Sequence, residues 1–366
     1  MIITAPTMPG PDLPPYLRCV LELPGALVEW DLLDPPGSPP RMTILAIEEC
    51  DWLWRLVTEA GHRAVIDAMP GLTTTDLPIP VDPTAAAALR RLAYGHWLRR
   101  WWPASAHGPV PVLDPVLVDL EVAVLTQRAE GWFAGDTLDS DPAALLARWP
   151  VAAVCARACD PTPGARDLLG FIGQYPDELV PHWTDADLAV LTAALAAPTR
   201  TRQDYALAAG GPGVAGASAT GVIATGRTSV DWLAVPPGVL DAAEDTVTWQ
   251  VEAAPGVEVA VRCEVLVGAD ASGTEVRLVL PPHLDLRSVL DAGGRVRVPV
   301  PIPATTAWQL PWEQLRCLVG VGPVDTIPAA GREPRETARR FVRRRLADPR
   351  REDLFVAERA AADLDY

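Results

Sequence analysis

The hydrophobic period of this chain changes once, near residue 220, and that change constrains the fold more than any other feature. Before it, three Asp-Pro pairs (Asp82-Pro83, Asp114-Pro115 and Asp141-Pro142) each precede an apolar run with helical spacing. An aspartate at the N-cap accepts amide bonds that the first helical turn cannot satisfy. Proline at the next position gives up only a donor that would go unused. Thr184, with Asp187 three residues later, has the pattern of a capping box. The sequence therefore predicts helices over 83–102, 115–130, 142–148 and 185–197. Upstream, the first forty residues are proline-rich, with strand-like pieces at 16–23, 26–33 and 41–48, and the segment around Trp52, Trp54, Leu56 and Val57 is expected to turn helical.

After residue 220 the period is two. Val247, Trp249 and Val251 alternate with polar residues, as do Val257, Val259, Val261, Cys263, Val265 and Val267. Three more runs follow: Val276–Leu280, Val296–Ile302 and Leu315–Val319. Strands with one wet and one dry face, separated by turn signals such as DASG and DAGG, predict an antiparallel β-sandwich rather than a doubly wound sheet. The expected class is α+β. Its expected parts are a mainly helical domain with a few strands at 1–208, a small-residue linker at 209–220, a sandwich at 221–327 and an arginine-rich helical tail at 328–366. In the tail, Ala338, Phe341, Val342 and Leu346 share one helical face.

Composition narrows the chemistry. Lysine and asparagine are absent, so all 31 basic side chains are arginine. A phosphate loop ending in Gly-Lys-Ser/Thr is excluded, as are a protein-kinase site, Schiff-base catalysis and a Cys-His-Asn protease. Both missing residues have codons beginning with two adenines, and Phe, Tyr and Met are sparse (4, 5 and 4). This pattern fits codon bias in a GC-rich, actinobacterial genome. The formal charge of −16 argues against a nucleic acid or an anionic membrane as partner. The N-terminal residues lack the basic and apolar regions of a secretory signal, and no run is apolar enough to span a bilayer, so a cytoplasmic setting is expected. Six cysteines in 366 residues make no disulfide framework. Cys263 and Cys317 could meet across the sandwich core, but in that setting they are read as thiols.

Several constellations invite a chemical reading. Gly211, Gly213 and Gly216 have dinucleotide-fingerprint spacing, but no buried strand precedes them and no helix start follows. Ser218 sits in a near nucleophile elbow whose last glycine is Thr220, with His283 downstream as a base, which makes a serine hydrolase the leading enzymatic alternative. Cys155 and Cys159 lie one helical turn apart, without two further ligands at zinc spacing. The five histidines stand singly. Catalytic, metal and cofactor sites are therefore expected to be absent. Interface chemistry is expected instead, since Trp and Arg dominate binding hot spots. The candidate partner-binding residues are Trp97, Arg99, Arg100 and Trp101 at the end of one helix, and Arg339, Arg340, Arg343 and Arg344 in the tail. The stripe Leu89, Ala93, Trp97, Trp101 also reads as core, with Arg90, Arg91, Arg99 and Arg100 on the solvated or partner-facing side. The expected function is a non-catalytic adaptor or assembly component that binds another protein or itself. Alternatives are a hydrolase using Ser218 and His283, or nucleotide binding at Gly211–Gly216.

Overall fold

In the computed structural model, each Asp-Pro pair starts a helix. The model describes residues 2–4, 13–69, 74–76, 79–106, 108–130, 141–159, 161–197, 221–253, 256–320 and 332–362. Asp82 Oδ1 accepts from the Ala85 amide at 2.7 Å, Asp114 Oδ1 from Val116 at 2.9 Å and Asp141 Oδ1 from Ala143 at 2.8 Å. The reciprocal Thr184–Asp187 capping box is also present. The fold is mixed α+β, and the chain divides into two compact units. The first comprises Met1–Arg99, Leu113–Leu207 and Arg340–Tyr366; the second comprises Arg100–Val112 and Ala208–Arg339.

The first unit holds a sheet of β1 (Ile2–Thr4), β2 (Arg18–Leu23), β3 (Ala26–Asp31), β4 (Arg41–Ile44) and β5 (Thr74–Asp76), in the order β2-β3-β4-β1-β5. Only the β1/β4 pair is parallel. Its helices include α1 (Trp54–Ala68), most of α2 (Pro83–Trp101), α3 (Pro115–Glu130), α4 (Pro142–Ala147), α5 (Val151–Ala156), α6 (Ala165–Gln174), α7 (Pro176–Leu179) and α8 (Asp185–Ala196). In α2 and α3 the buried residues lie all round the helix, because both run through the core. Gly95 permits their approach: a Cβ there would stand 2.7 Å from Val122 and 2.9 Å from Phe355.

The second unit contains two antiparallel sheets whose strands interleave in sequence, and the short helix α9 (Ala304–Ala307) lies between the last two strands. One has the order β11 (Arg295–Val300), β8 (Val257–Cys263), β7 (Val247–Glu252), β6 (Val222–Thr228); the other has β10 (Leu284–Val289), β9 (Glu275–Leu280), β12 (Arg316–Val319). Inward residues of both share one core, including Val251, Val259, Leu278 and Cys317, the arrangement the alternating pattern implies. The expected long run ends early: β8 stops at Cys263, the Leu266 amide turns to Val239 O at 2.9 Å, and Val267 is 88% exposed. Pro299 falls in edge strand β11, where its missing donor leaves no central ladder broken. Gly226 of β6 lies opposite Trp249, and a Cβ on it would come within 2.2 Å of the indole.

The arginine-rich helix α10 (Arg332–Leu346) is divided between the units at Arg339–Arg340, and α11 (Val356–Ala362) follows it in the first. The sequence boundaries anticipate neither this division nor the membership of Arg100–Val112 in the second unit. Among the described residues, no helix is long and apolar enough to cross a membrane.

Candidate functional site

The second unit contains a cleft whose first wall is the segment that begins at Arg100. A buried carboxylate fixes this segment: Asp241 accepts from Ser105 Oγ at 3.0 Å and from the Ala106 amide at 2.8 Å, while the Ala242 amide donates to Ala104 O at 3.0 Å. Trp102 Nε1 donates to Pro111 O at 2.8 Å, closing the loop on itself. Arg100, Trp101 and Trp102 thereby face a second wall that contains Trp232, Val235 and Leu240. The cavity volume is about 30 Å³. That is room for about two or three waters and roughly a tenth of the lower bound for metabolite pockets. The cleft admits the tip of one side chain.

The opposite wall is braced by the first half of α10. Arg339 donates to Glu244 Oε1 at 3.0 Å and to Ala242 O, and its guanidinium carbon lies 5.2 Å from the centre of the Trp232 ring. Arg335 donates to Glu244 Oε2 at 2.9 Å, and Ser229 Oγ donates to the same oxygen at 2.6 Å. Burial pushes the Glu244 carboxyl up, but the Ser229 hydroxyl and the two guanidinium groups outweigh it and hold the group below the ordinary glutamate value.

Arg100 is arranged differently. Its guanidinium stacks over Trp101 at 4.1 Å, yet it donates no hydrogen bond to any described residue. Burial lowers its pKa, and the negative charge of Asp231 partly restores it. One residue earlier, Arg99 Nε donates to Asp119 at 2.7 Å.

The structure thus brings Arg100, Trp101 and Arg339 to the cleft or its supporting wall. The remaining sequence candidates lie in the first unit. Trp97 is a core residue, 2% exposed, stacked on Tyr94 and donating Nε1 to Tyr16 O at 2.9 Å. Arg99 is tied to Asp119, which also accepts from Trp149 Nε1 at 2.8 Å. Trp97 is thus buried, and Arg99 is half-buried and paired within the first unit. Arg340 and Arg344 are exposed on α10, and Arg343 is half-buried. Two more of the arginines expected to face solvent on α2 find intrachain acceptors: Arg90 donates to Asp34 O and Pro35 O, and Arg91 to Glu121.

Sequence reasoning missed the densest charged network, which also belongs to the first unit. Glu358, wholly buried, accepts from Arg345 Nε at 2.7 Å, Arg345 Nη2 at 2.8 Å, Tyr94 Oη at 2.9 Å and the Phe355 amide at 2.8 Å. Arg345 also donates to Asp353 at 2.8 Å. Every lone-pair direction of Glu358 is therefore used within the chain, which is the role of a fixed structural ion rather than a proton donor.

Ser218 and Gly211, Gly213 and Gly216 lie outside the described residues. His283 is exposed in the turn after β9. Cys155 is buried and Cys159 half-buried, and among the described residues no three potential metal ligands cluster. All six cysteines are free thiols. Burial pushes Cys19, Cys50, Cys263 and Cys317 up to about 12, opposite to what a nucleophilic thiolate requires. Trp102 and Trp232 carried no signal in the sequence, because their positions depend on which distant loop faces them. No family model, no curated protein and no solved structure matches this chain.

Proposed function

We propose that this protein is a non-catalytic adaptor or assembly component, acting in the cytoplasm of an actinobacterial host, that binds a protein partner through the Trp-Arg cleft of the second unit. The observation that carries this reading is the size and lining of the cleft. A notch of about 30 Å³ walled by Trp101, Trp102 and Trp232, with one guanidinium at its edge, is too small for a metabolite. It has the chemistry of an interface hot spot, where aromatic anchors and arginine concentrate the binding energy. The deployment of polar groups supports it: aspartates cap helices, and the buried carboxylates Asp119, Glu121 and Glu358 and the half-buried Glu244 accept from arginines in their own units.

The test is co-purification from the native host with the wild-type chain and with Trp101→Ala. Recovery of a stoichiometric partner by the wild type, lost or weakened about 30-fold in the variant, supports the reading; that factor corresponds to about 2 kcal/mol. A strictly monomeric chain that retains no partner, or a partner retained equally by both proteins, contradicts it.

A further inference from the structure

The cleft also specifies the charge of what it binds, an inference that rests on the partner-binding reading above. Arg91, Arg99, Arg339 and Arg345 each end on a carboxylate. Among the described residues Arg100 ends on no carboxylate, although its guanidinium is half withdrawn from water against the Trp101 ring. Donors held in this way are set to receive an acceptor that none of the described residues supplies through a hydrogen bond.

Two further observations fix the sign of the ligand. The rings of Trp101 and Trp232 already carry the guanidinium groups of Arg100 and Arg339. A cationic ligand would therefore meet positive charge where an aromatic cage needs open ring faces. Of the nearby acids, Glu244 accepts from Ser229, Arg335 and Arg339, and one oxygen of Asp231 accepts from the Leu233 amide at 3.0 Å. Asp231 offsets part of the Arg100 charge without hydrogen-bonding it.

We propose that the cleft receives an aspartate or glutamate side chain from a partner protein, flanked by an apolar residue. Arg100 binds the carboxylate, and the indoles of Trp101 and Trp102 cover the apolar neighbour. An Arg–carboxylate pair can form two parallel hydrogen bonds, giving geometric specificity as well as attraction. The small volume accommodates one such group and excludes a folded domain, so the recognised element is a short segment at the partner's surface.

The experiment selects a phage-displayed random dodecapeptide library on the full-length chain, then measures the affinity of enriched peptides. Enrichment of Asp or Glu beside Leu, Pro or an aromatic residue is expected. Affinity should weaken at least about tenfold in Arg100→Gln and fall with added salt. A peptide with its acid changed to lysine should bind Arg100→Glu better than it binds the wild type. Thermal unfolding of Arg100→Gln close to that of the wild type ensures that the loss is local. Basic or uncharged selected peptides, or acidic ones indifferent to Arg100→Gln, overturn the proposal. If such peptides still depend on Trp101, the partner-binding reading stands and only the charge assignment falls. If no peptide depends on either residue, both fall. Inorganic phosphate serves as the competing anion: a site that binds it while selecting no acidic peptide is a phosphate site, and the proposal is wrong.

Discussion

Arginine is used in two ways in the two units, and the difference separates architecture from function. In the first unit, Arg91, Arg99 and Arg345 run inward to Glu121, Asp119 and Glu358, carboxylates that are at most 6% exposed. In the second, Arg339 clamps a half-buried glutamate, and Arg100 reaches no carboxylate at all among the described residues. Lacking lysine, the chain uses the same side chain for both purposes, so residue type cannot distinguish them. Hydrogen-bond accounting can: a guanidinium whose donors are filled from within is part of the scaffold, and one whose donors are open in a cleft is available to a partner.

The largest expected effect tests the closed side of this comparison. Glu358→Ala leaves Arg345 buried without its principal counter-ion and orphans the Tyr94 hydroxyl, and should cost about 3–5 kcal/mol in denaturant unfolding. A loss below about 1 kcal/mol would mean that the network is dispensable.

Next in size is a packing effect in the sheet. Gly226→Val forces a branched side chain into the Trp249 indole and should destabilise by about 1–3 kcal/mol, with a change in near-ultraviolet circular dichroism. An unchanged spectrum would show that Trp249 does not lie across β6.

Glu244→Ala should be milder, about 1–2 kcal/mol, because the clamp is partly solvated. Its pH dependence has a definite sign. The folded carboxyl titrates below the ordinary value of 4.5, so the stability it contributes is complete above that value and is lost as the pH falls through the lower folded value. The gap between wild type and Glu244→Ala should close in that acidic window. A gap that persists there would place its origin in packing rather than charge.

Much of the scaffold could be read from the sequence because its determinants are local. Asp82, Asp114, Asp141 and Thr184 act on amides two or three residues away, and the helices begin where those residues stand. The strands β7, β8 and β9 follow from alternation within single segments. Strand β6 was missed because VIATGRT has no clean alternation; its glycine is required by an indole on the neighbouring strand. Helix α11 was missed because much of what holds it comes from Arg345 and from Glu121, which accepts from the Val356 amide at 2.7 Å. One signal was present in the sequence itself: two acids inside the otherwise apolar run VLVDLEVAVL mark buried ion pairs as plainly as they argue against a membrane span. Trp97 and Trp101 share a helical stripe and differ in fate, since Trp97 lies within the core and Trp101 comes at the helix end that opens into the second unit's loop. No period in the sequence encodes that difference.

The most direct test of the whole account is a paired measurement on Arg100→Gln: its unfolding free energy and its retention of a partner recovered by the wild-type chain. An open guanidinium predicts stability within about 0.5 kcal/mol of wild type together with loss of the partner. A variant that unfolds more easily while holding its partner undiminished would show that Arg100 belongs to the scaffold, and that the cleft is not where this protein binds.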